Sequence, residues 1–219
     1  MPNVAINGLG RIGRAALKIL LDSDGLDLVA VNDVADVANL AYLLKYDTVY
    51  GRYHRRVSTV DGGLLIDGRR IATFAEQDPA NLPWADLGVD LVLECTGVFK
   101  TEDDLTKHLR AGAAYVILSA PTSSEAVPTV VHGVNRPDGA PQLISCASCT
   151  TNCITPVIEI AHRRIGVERA VMTTVTPIPP PSSWWTARAR ASDAAGQPQP
   201  TWSPHQPERR GPPPAPCPS

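Results

Sequence analysis

No run in the sequence approaches the roughly 18 uncharged apolar residues that a membrane span requires, and Met1-Pro2-Asn3 begins no secretory signal. Charge of one sign is also missing. Twenty basic residues against 22 acidic ones leave a net charge of −2, which gives no sequence-independent hold on nucleic acid or on an anionic membrane. Cysteine is scarce and clustered: Cys146, Cys149 and Cys153 are three of only 5, unlike the spread cysteines of a secreted disulfide framework. These absences set the expectation of a soluble, cytoplasmic protein with reduced thiols, with no membrane and no nucleic-acid partner.

Another lack is local. After Ile178 the chain contains no Leu, Ile, Val, Met, Phe or Tyr, while residues 176–219 hold 13 of the 21 prolines. A segment of that composition cannot bury a core, so disorder is expected there. On composition alone it reads as a linker or a polyproline ligand. The body before it is different material, with apolar runs separated by turn residues.

Those runs alternate in kind. Val4-Ala5-Ile6 and Leu28 to Val31 read as strands buried on both faces, and Gly10 to Leu21 carries helical spacing between them. Val37 to Tyr46 is helical again. Val57 to Phe74, broken at Asp61-Gly62-Gly63 and Asp67-Gly68, reads as short antiparallel strands. Leu91-Val92-Leu93 and Val116-Ile117-Leu118 are further buried strands around a helix at Glu102–Ala111, and Ala170 to Val175 opens another strand. This order predicts an α/β fold, a Rossmann-like doubly wound parallel sheet.

Gly8-Leu9-Gly10-Arg11-Ile12-Gly13 matches G-x-G-x-x-G between the first strand and the first helix, the context that gives the motif meaning. Gly8 permits the tight turn, Gly10 lets backbone approach a pyrophosphate, and Gly13 lets the helix pack closely on the strand. The helix N-terminus adds N–H donors and a partial positive charge. Asp33 follows at the end of the second strand, where a carboxylate can accept both ribose hydroxyls and repel a 2′-phosphate. The expected cofactor is therefore NAD rather than NADP. A glycine-rich turn in a non-binding α/β domain is the plainer alternative.

Ser145-Cys146-Ala147-Ser148-Cys149-Thr150-Thr151-Asn152-Cys153 precedes a helix marked by Ile154, Val157, Ile158, Ala161 and Ile165. A thiol at a helix N-terminus is a candidate nucleophile, and the Ser148 and Thr150 hydroxyls beside it can hold an anionic group. Of the three thiols Cys149 is best placed, with Cys153 one turn on as packing. A Cys146-x-x-Cys149 zinc or redox pair lacks a second pair, so no metal is expected. Buried structural cysteines at a capped helix remain an alternative.

Ala5-Ile6-Asn7-Gly8-Leu9-Gly10-Arg11-Ile12-Gly13-Arg14, Leu44-Lys45-Tyr46-Asp47, Ser119-Ala120-Pro121 and Ala147-Ser148-Cys149-Thr150-Thr151-Asn152-Cys153 together resemble phosphorylating glyceraldehyde-3-phosphate dehydrogenase over residues 1–175. The resemblance implies that Cys149 attacks the aldehyde of glyceraldehyde 3-phosphate, that NAD takes the hydride, and that inorganic phosphate releases 1,3-bisphosphoglycerate. It implies NAD contacts at Arg11, Ile12, Asp33, Thr96, Gly97 and Ser119, phosphate contacts at Ser148 and Thr150, and a homotetramer. It divides the chain into an NAD-binding domain at 1–148, the start of a catalytic α+β domain at 149–175, and a tail at 176–219. Gln77 is a minor departure, standing where arginine is common.

The larger departure is at Thr176, where the family's base, a histidine, is expected directly after Thr173-Thr174-Val175. With one C restored before its codon, Thr176 to Trp185 written as ACG CCT ATA CCT CCA CCC AGC AGC TGG TGG reads HAYTSTQQLV in the other frame. Synonymous codon choices extend that reading to Ser219. Residues 176–219 are accordingly read as the product of a one-nucleotide loss at the histidine codon, which leaves the literal chain without its base. The remaining readings are a non-catalytic NAD-binding fragment and an interaction protein that presents its proline-rich tail.

Overall fold

Six strands of this protein run parallel because each is joined to the next of the six by a crossover that returns the chain to the same end of one sheet. The computed structural model describes residues 1–174. In chain order the elements are β1 (Asn3–Asn7), α1 (Arg11–Leu21), β2 (Asp27–Asn32), α2 (Val37–Lys45), β3 (Tyr46–Asp47), β4 (Gly51–Arg52), β5 (Val57–Val60), β6 (Gly63–Ile66), β7 (Arg69–Phe74), β8 (Leu91–Glu94), α3 (Glu102–Arg110), β9 (Tyr115–Leu118), β10 (Leu143–Ser145) and α4 (Cys149–Ile165). The main sheet has the order β10-β9-β8-β1-β2-β7-β6-β5.

From β10 to β7 every pairing is parallel, and β7-β6-β5 continue the same sheet antiparallel. The expected doubly wound sheet is present, and the expected antiparallel strands of residues 57–74 are its continuation. The turns that make them are tight. Asp61 and Asp67 stand at φ 47° and 49°, each followed by a glycine of positive φ, the signature of hairpin connections that match strand twist.

Two apolar layers sandwich the sheet. On one face Val4, Ile6 and Val31 pack with Leu17 and Leu20 of α1 and Leu40 and Leu44 of α2. On the other, Ala5, Ala30, Val92, Val116 and Leu118 pack with Leu105 of α3 and with Trp84. The small Ala5 and Ala30 leave room for the fully buried indole, which meets Phe74 edge-on at a centroid distance of 6.2 Å. Continuous apolar runs in β1, β2, β8 and β9 thus reflect burial on both faces.

Two features differ from the sequence reading. β10 has no counterpart among the expected strands; it is short, and its only apolar residues are Leu143 and Ile144. The strand expected from Ala170 is not formed within the described residues. Residues 170–174 are exposed, carry no strand and pair with none of the described strands, and strand conformation alone does not hold a chain. Helix α4 likewise has no buried residue. The expected disorder of residues 176–219, Thr176 and the proline-rich segment lie outside the described residues. No helix is long and apolar enough to cross a membrane among the described residues.

Helix α3 is the best-capped element. Thr101 accepts from the Asp104 N–H while the Asp104 carboxylate accepts from the Thr101 N–H, a reciprocal capping box. Hydrogen bonding to Thr101, joined by the Lys100 N–H, holds the Asp104 carboxyl below its ordinary value. A lowered carboxyl contributes stability above the unfolded value and loses it as pH falls through the folded one. Thr101→Ala is expected to cost about 1 kcal/mol at neutral pH, and that penalty is expected to shrink on acidification below about pH 4. Denaturant melts at two pH values check both; a pH-independent penalty contradicts the capping account.

Candidate functional site at the carboxyl edge of the sheet

Parallel register brings the strand ends that lead into the candidate loops to one edge. Asn7 pairs with Asn32 on one side and Glu94 on the other, Glu94 pairs with Leu118, and Leu118 pairs with Ser145. These five form a single row across the ends of β2, β1, β8, β9 and β10. The residues that follow them are Asp33, Gly8, Cys95, Ser119 and Cys146. From β1 the chain crosses to β2 on one side, while β8 lies on the other. That reversal opens a crevice beyond the carboxyl ends, the usual seat of a ligand in open α/β sheets.

Gly8 is fixed there by sterics. Its φ is +91°, and a Cβ on it would stand 2.7 Å from the Thr96 nitrogen. No other residue brings the β1–α1 loop this close to the β8 loop. Gly13 is as constrained, but by a different neighbour than expected. Its missing Cβ would lie 1.9 Å from the Gly8 carbonyl oxygen, so it admits the turn itself into the first turn of α1 more than it admits the strand. A Cβ at Gly10 would meet nothing within 4 Å, which leaves open space over the helix start. No side chain caps the N-terminus of α1, and Arg11 and Ile12 are exposed beside it. Uncapped N–H groups facing open space suit an anionic pyrophosphate.

Asp33 is already engaged with this loop. Its Oδ2 accepts from the Leu9 N–H at 2.7 Å and its Oδ1 from the Ala35 N–H at 2.9 Å. Each oxygen retains a lone pair, and the side chain is partly exposed, so it can still receive ribose hydroxyls. Across the crevice Thr96 is half-buried and Gly97 exposed, with the Thr96 hydroxyl accepting from the Val98 N–H at 3.1 Å. Ser119 donates its N–H to the Glu94 carbonyl at 2.9 Å and is half-buried.

The cysteine loop enters from β10. Cys146 N–H bonds the Leu118 carbonyl and the Ser145 hydroxyl donates to the Ala120 carbonyl at 2.7 Å, which ties the loop to the end of β9. Ala147 then turns with φ +62°, a left-handed conformation costing about 1–2 kcal/mol for a residue with a Cβ. Asn152 steadies the turn by donating to the Cys146 and Ser148 carbonyls. Ser148 becomes the N-cap of α4, accepting from the Thr151 N–H at 3.0 Å. Its hydroxyl is therefore shared between capping and any anion, while Thr150 stands half-buried next to it. Cys149 is the first residue of the helix, and it is exposed.

Exposure and burial sort the thiols. All four described cysteines are free. Burial pushes the Cys95 thiol up to about 11, opposed by a hydrogen bond from Ser119, and burial also raises Cys146. Neither supplies thiolate at neutral pH, whereas Cys149 and Cys153 face solvent. No group of three or more His, Cys, Asp or Glu side chains among the described residues is placed to hold a metal ion.

Residues 2–102 match the family described as glyceraldehyde 3-phosphate dehydrogenase, NAD binding domain, and residues 148–199 match its C-terminal domain. The chain resembles glyceraldehyde-3-phosphate dehydrogenase. A protein of that name from Clostridium acetobutylicum is 45% identical over 177 residues, 80% of this chain and 53% of the relative. Glyceraldehyde-3-phosphate dehydrogenase 1 of Agaricus bisporus is 50% identical over 178 residues, covering 80% and 52%. The Geobacillus stearothermophilus enzyme is 47% identical over 175 residues, covering 78% and 52%. This chain thus spans about half the length of the curated relatives it matches. NAD is the cofactor that the matched domain supports. The second domain match runs to residue 199, past Val175, where the resemblance read from the sequence ends.

The sequence reading missed Asn7, Asn32, Glu94 and Asn152. The first three are polar residues closing apolar strand runs, a pattern that a solvent-facing strand end shows equally; only their burial requires that they find partners.

The thiol order is testable. With iodoacetamide at pH 7.5, Cys149 and Cys153 are expected to alkylate well before Cys95 and Cys146. Cys95, with on the order of 10⁻³–10⁻⁴ of its thiol ionised at that pH, is expected to label only as pH approaches 11. Peptide mass spectrometry of timed samples reads the order, and equal labelling of Cys95 at neutral pH contradicts it.

Proposed function

We propose that residues 1–148 are an NAD-binding domain, that 149–175 begin a catalytic domain, and that Cys149 is the nucleophile of a phosphorylating glyceraldehyde 3-phosphate oxidation. The carrying observation is one row of strand ends, from which β1 leads to an uncapped helix N-terminus, β2 to Asp33, and β10, four residues on, to the exposed helix-start thiol of Cys149. Gly8, Gly10, Arg11, Ile12 and Gly13 line the pyrophosphate end, Asp33 takes the ribose, and Thr96, Gly97 and Ser119 line the opposite wall. The open space at Gly10 and the half-exposed Asp33 fit a dinucleotide.

In this reading the Cys149 sulfur attacks the aldehyde carbon, the C–S bond forms and the carbonyl oxygen takes a proton. NAD, when bound, supplies the acceptor for the hydride that leaves this carbon. The Cys149 thioester that remains is attacked by inorganic phosphate, which expels the Cys149 thiolate and yields 1,3-bisphosphoglycerate. Ser148 and Thr150 orient phosphate oxygens beside the thiol. A base is required to deprotonate Cys149 and shuttle the hemithioacetal proton, and Thr176 has no basic group to serve. That residue favours a second reading of the literal chain, cofactor binding without effective turnover. An assembly of four copies belongs to the form with its frame restored.

Resequencing the codons for Met172 to Trp185 is expected to find an additional C before that for Thr176. With glyceraldehyde 3-phosphate, NAD and phosphate, protein from the restored frame is expected to produce NADH at least about 100-fold faster than the literal chain. Cys149→Ser in the restored form is expected to abolish that signal. Robust turnover by the literal chain, or by the Cys149→Ser variant, contradicts the proposal.

A further inference from the structure

Beneath the crevice lies a polar relay that neither the nucleophile nor the cofactor contacts account for. Glu94 and His108 are both fully buried. Glu94 Oε1 accepts from the Thr96 N–H at 2.7 Å and from the Thr96 hydroxyl at 2.5 Å. Its Oε2 accepts from the Asn7 amide at 2.5 Å and lies 3.1 Å from His108 Nε2.

The tautomer of that histidine follows from the next member. Trp84 Nε1 reaches His108 Nδ1 at 3.1 Å. An indole N–H only donates, so Nδ1 accepts and the proton sits on Nε2, directed at Glu94. The 3.5 Å approach of the Asn7 amide nitrogen to that same Nε2 therefore joins two donors and is no bond. Four donors thus converge on one buried side chain, and no cation stands among them.

The relay continues to the other wall. Asn7 Oδ1 accepts from the Asn32 amide at 2.7 Å, and Asn32 clasps the Glu76 backbone by accepting from its N–H at 2.8 Å and donating to its carbonyl at 2.9 Å. Asn32 immediately precedes Asp33, and Thr96 is the residue that Gly8 abuts.

We propose that Glu94 is a positioning residue for the dinucleotide crevice. Its side chain fixes the Thr96–Gly97 loop on one wall and, through Asn7 and Asn32, the strand end that presents Asp33 on the other. This rests on the reading of the crevice as an NAD site. Directionality makes the claim specific. In Glu94→Gln the amide oxygen can still serve Thr96, but its NH₂ then faces the donors of Asn7 and His108. His108 can relieve that conflict only by abandoning the Trp84 indole. Pairing Asn7→Asp with Glu94→Gln restores a donor opposite an acceptor and keeps one acidic side chain in the relay. The carboxylate so introduced also accepts from Asn32 and faces the His108 N–H.

The test is calorimetric titration of the full chain with NAD, alongside thermal melting. Glu94→Gln is expected to weaken NAD binding about 10- to 100-fold, the scale on which misplaced contact groups lose their hold. The Asn7→Asp/Glu94→Gln pair is expected to return to within about threefold of the parent. Ile66→Ala empties core space in β6, outside the relay; it is expected to lower the melting temperature while leaving NAD affinity unchanged. Parental affinity in Glu94→Gln overturns the proposal. So does an affinity loss in Ile66→Ala equal to that in Glu94→Gln at the same melting loss, since affinity would then follow stability alone. If Glu94→Gln does not fold, the paired variant decides: folded with parental affinity supports the proposal, folded without it overturns it. Failure of the unaltered chain to bind NAD is a separate result, seen before any variant is made, and it refutes the cofactor reading itself.

Discussion

Parallel register is the constraint on which the site depends. Because Asn32, Asn7, Glu94, Leu118 and Ser145 share one row, residues separated by more than a hundred positions in sequence emerge at the same edge without any loop having to reach. A slip of one residue in any of these strands turns its apolar side chains to the opposite layer and withdraws its terminal residue from the row. The two apolar layers, with Ile6 and Leu17 on one face and Trp84 and Leu105 on the other, hold the register and therefore hold the crevice.

Within that frame, backbone rather than side chains sets the closest approaches. Gly8 against Thr96 and Gly13 against the Gly8 carbonyl leave no space for a methyl group, so the β1–α1 turn is pressed into the neighbouring loop and its helix start is left bare. The opposite solution appears at α4. There Ser148 caps the helix, Ala147 takes a left-handed turn and Asn152 binds the loop carbonyls, which together deliver Cys149 to solvent at the first helical position. One helix start is left without a side-chain cap, and the other is capped and exposes a thiol.

Much of this was legible in the sequence, for identifiable reasons. Continuous apolar runs in β1, β2, β8 and β9 announced buried strands, and G-x-G-x-x-G announced the first turn. Asp33 and Cys149 were placed by their positions relative to a strand end and a helix start. What escaped had weak local signals. β10 is three residues long, and it is recognisable only through its pairing with β9. The strand expected from Ala170 has apolar content, yet its residues 170–174 pair with no described strand and stand exposed. Glu94 and Asn7 carry no local mark, because an isolated polar residue after an apolar strand looks like a solvent-facing end, whereas here both are buried and mutually bonded.

The central claim is that one row of strand ends forms a dinucleotide crevice leading to Cys149. A crystal structure of the chain grown with NAD tests it most directly. The account predicts the pyrophosphate at the bare start of α1, the adenosine ribose on Asp33, and the nicotinamide between Thr96, Ser119 and the Cys149 thiol. NAD bound away from Gly10 and Asp33, or no bound NAD at saturating concentration, contradicts it.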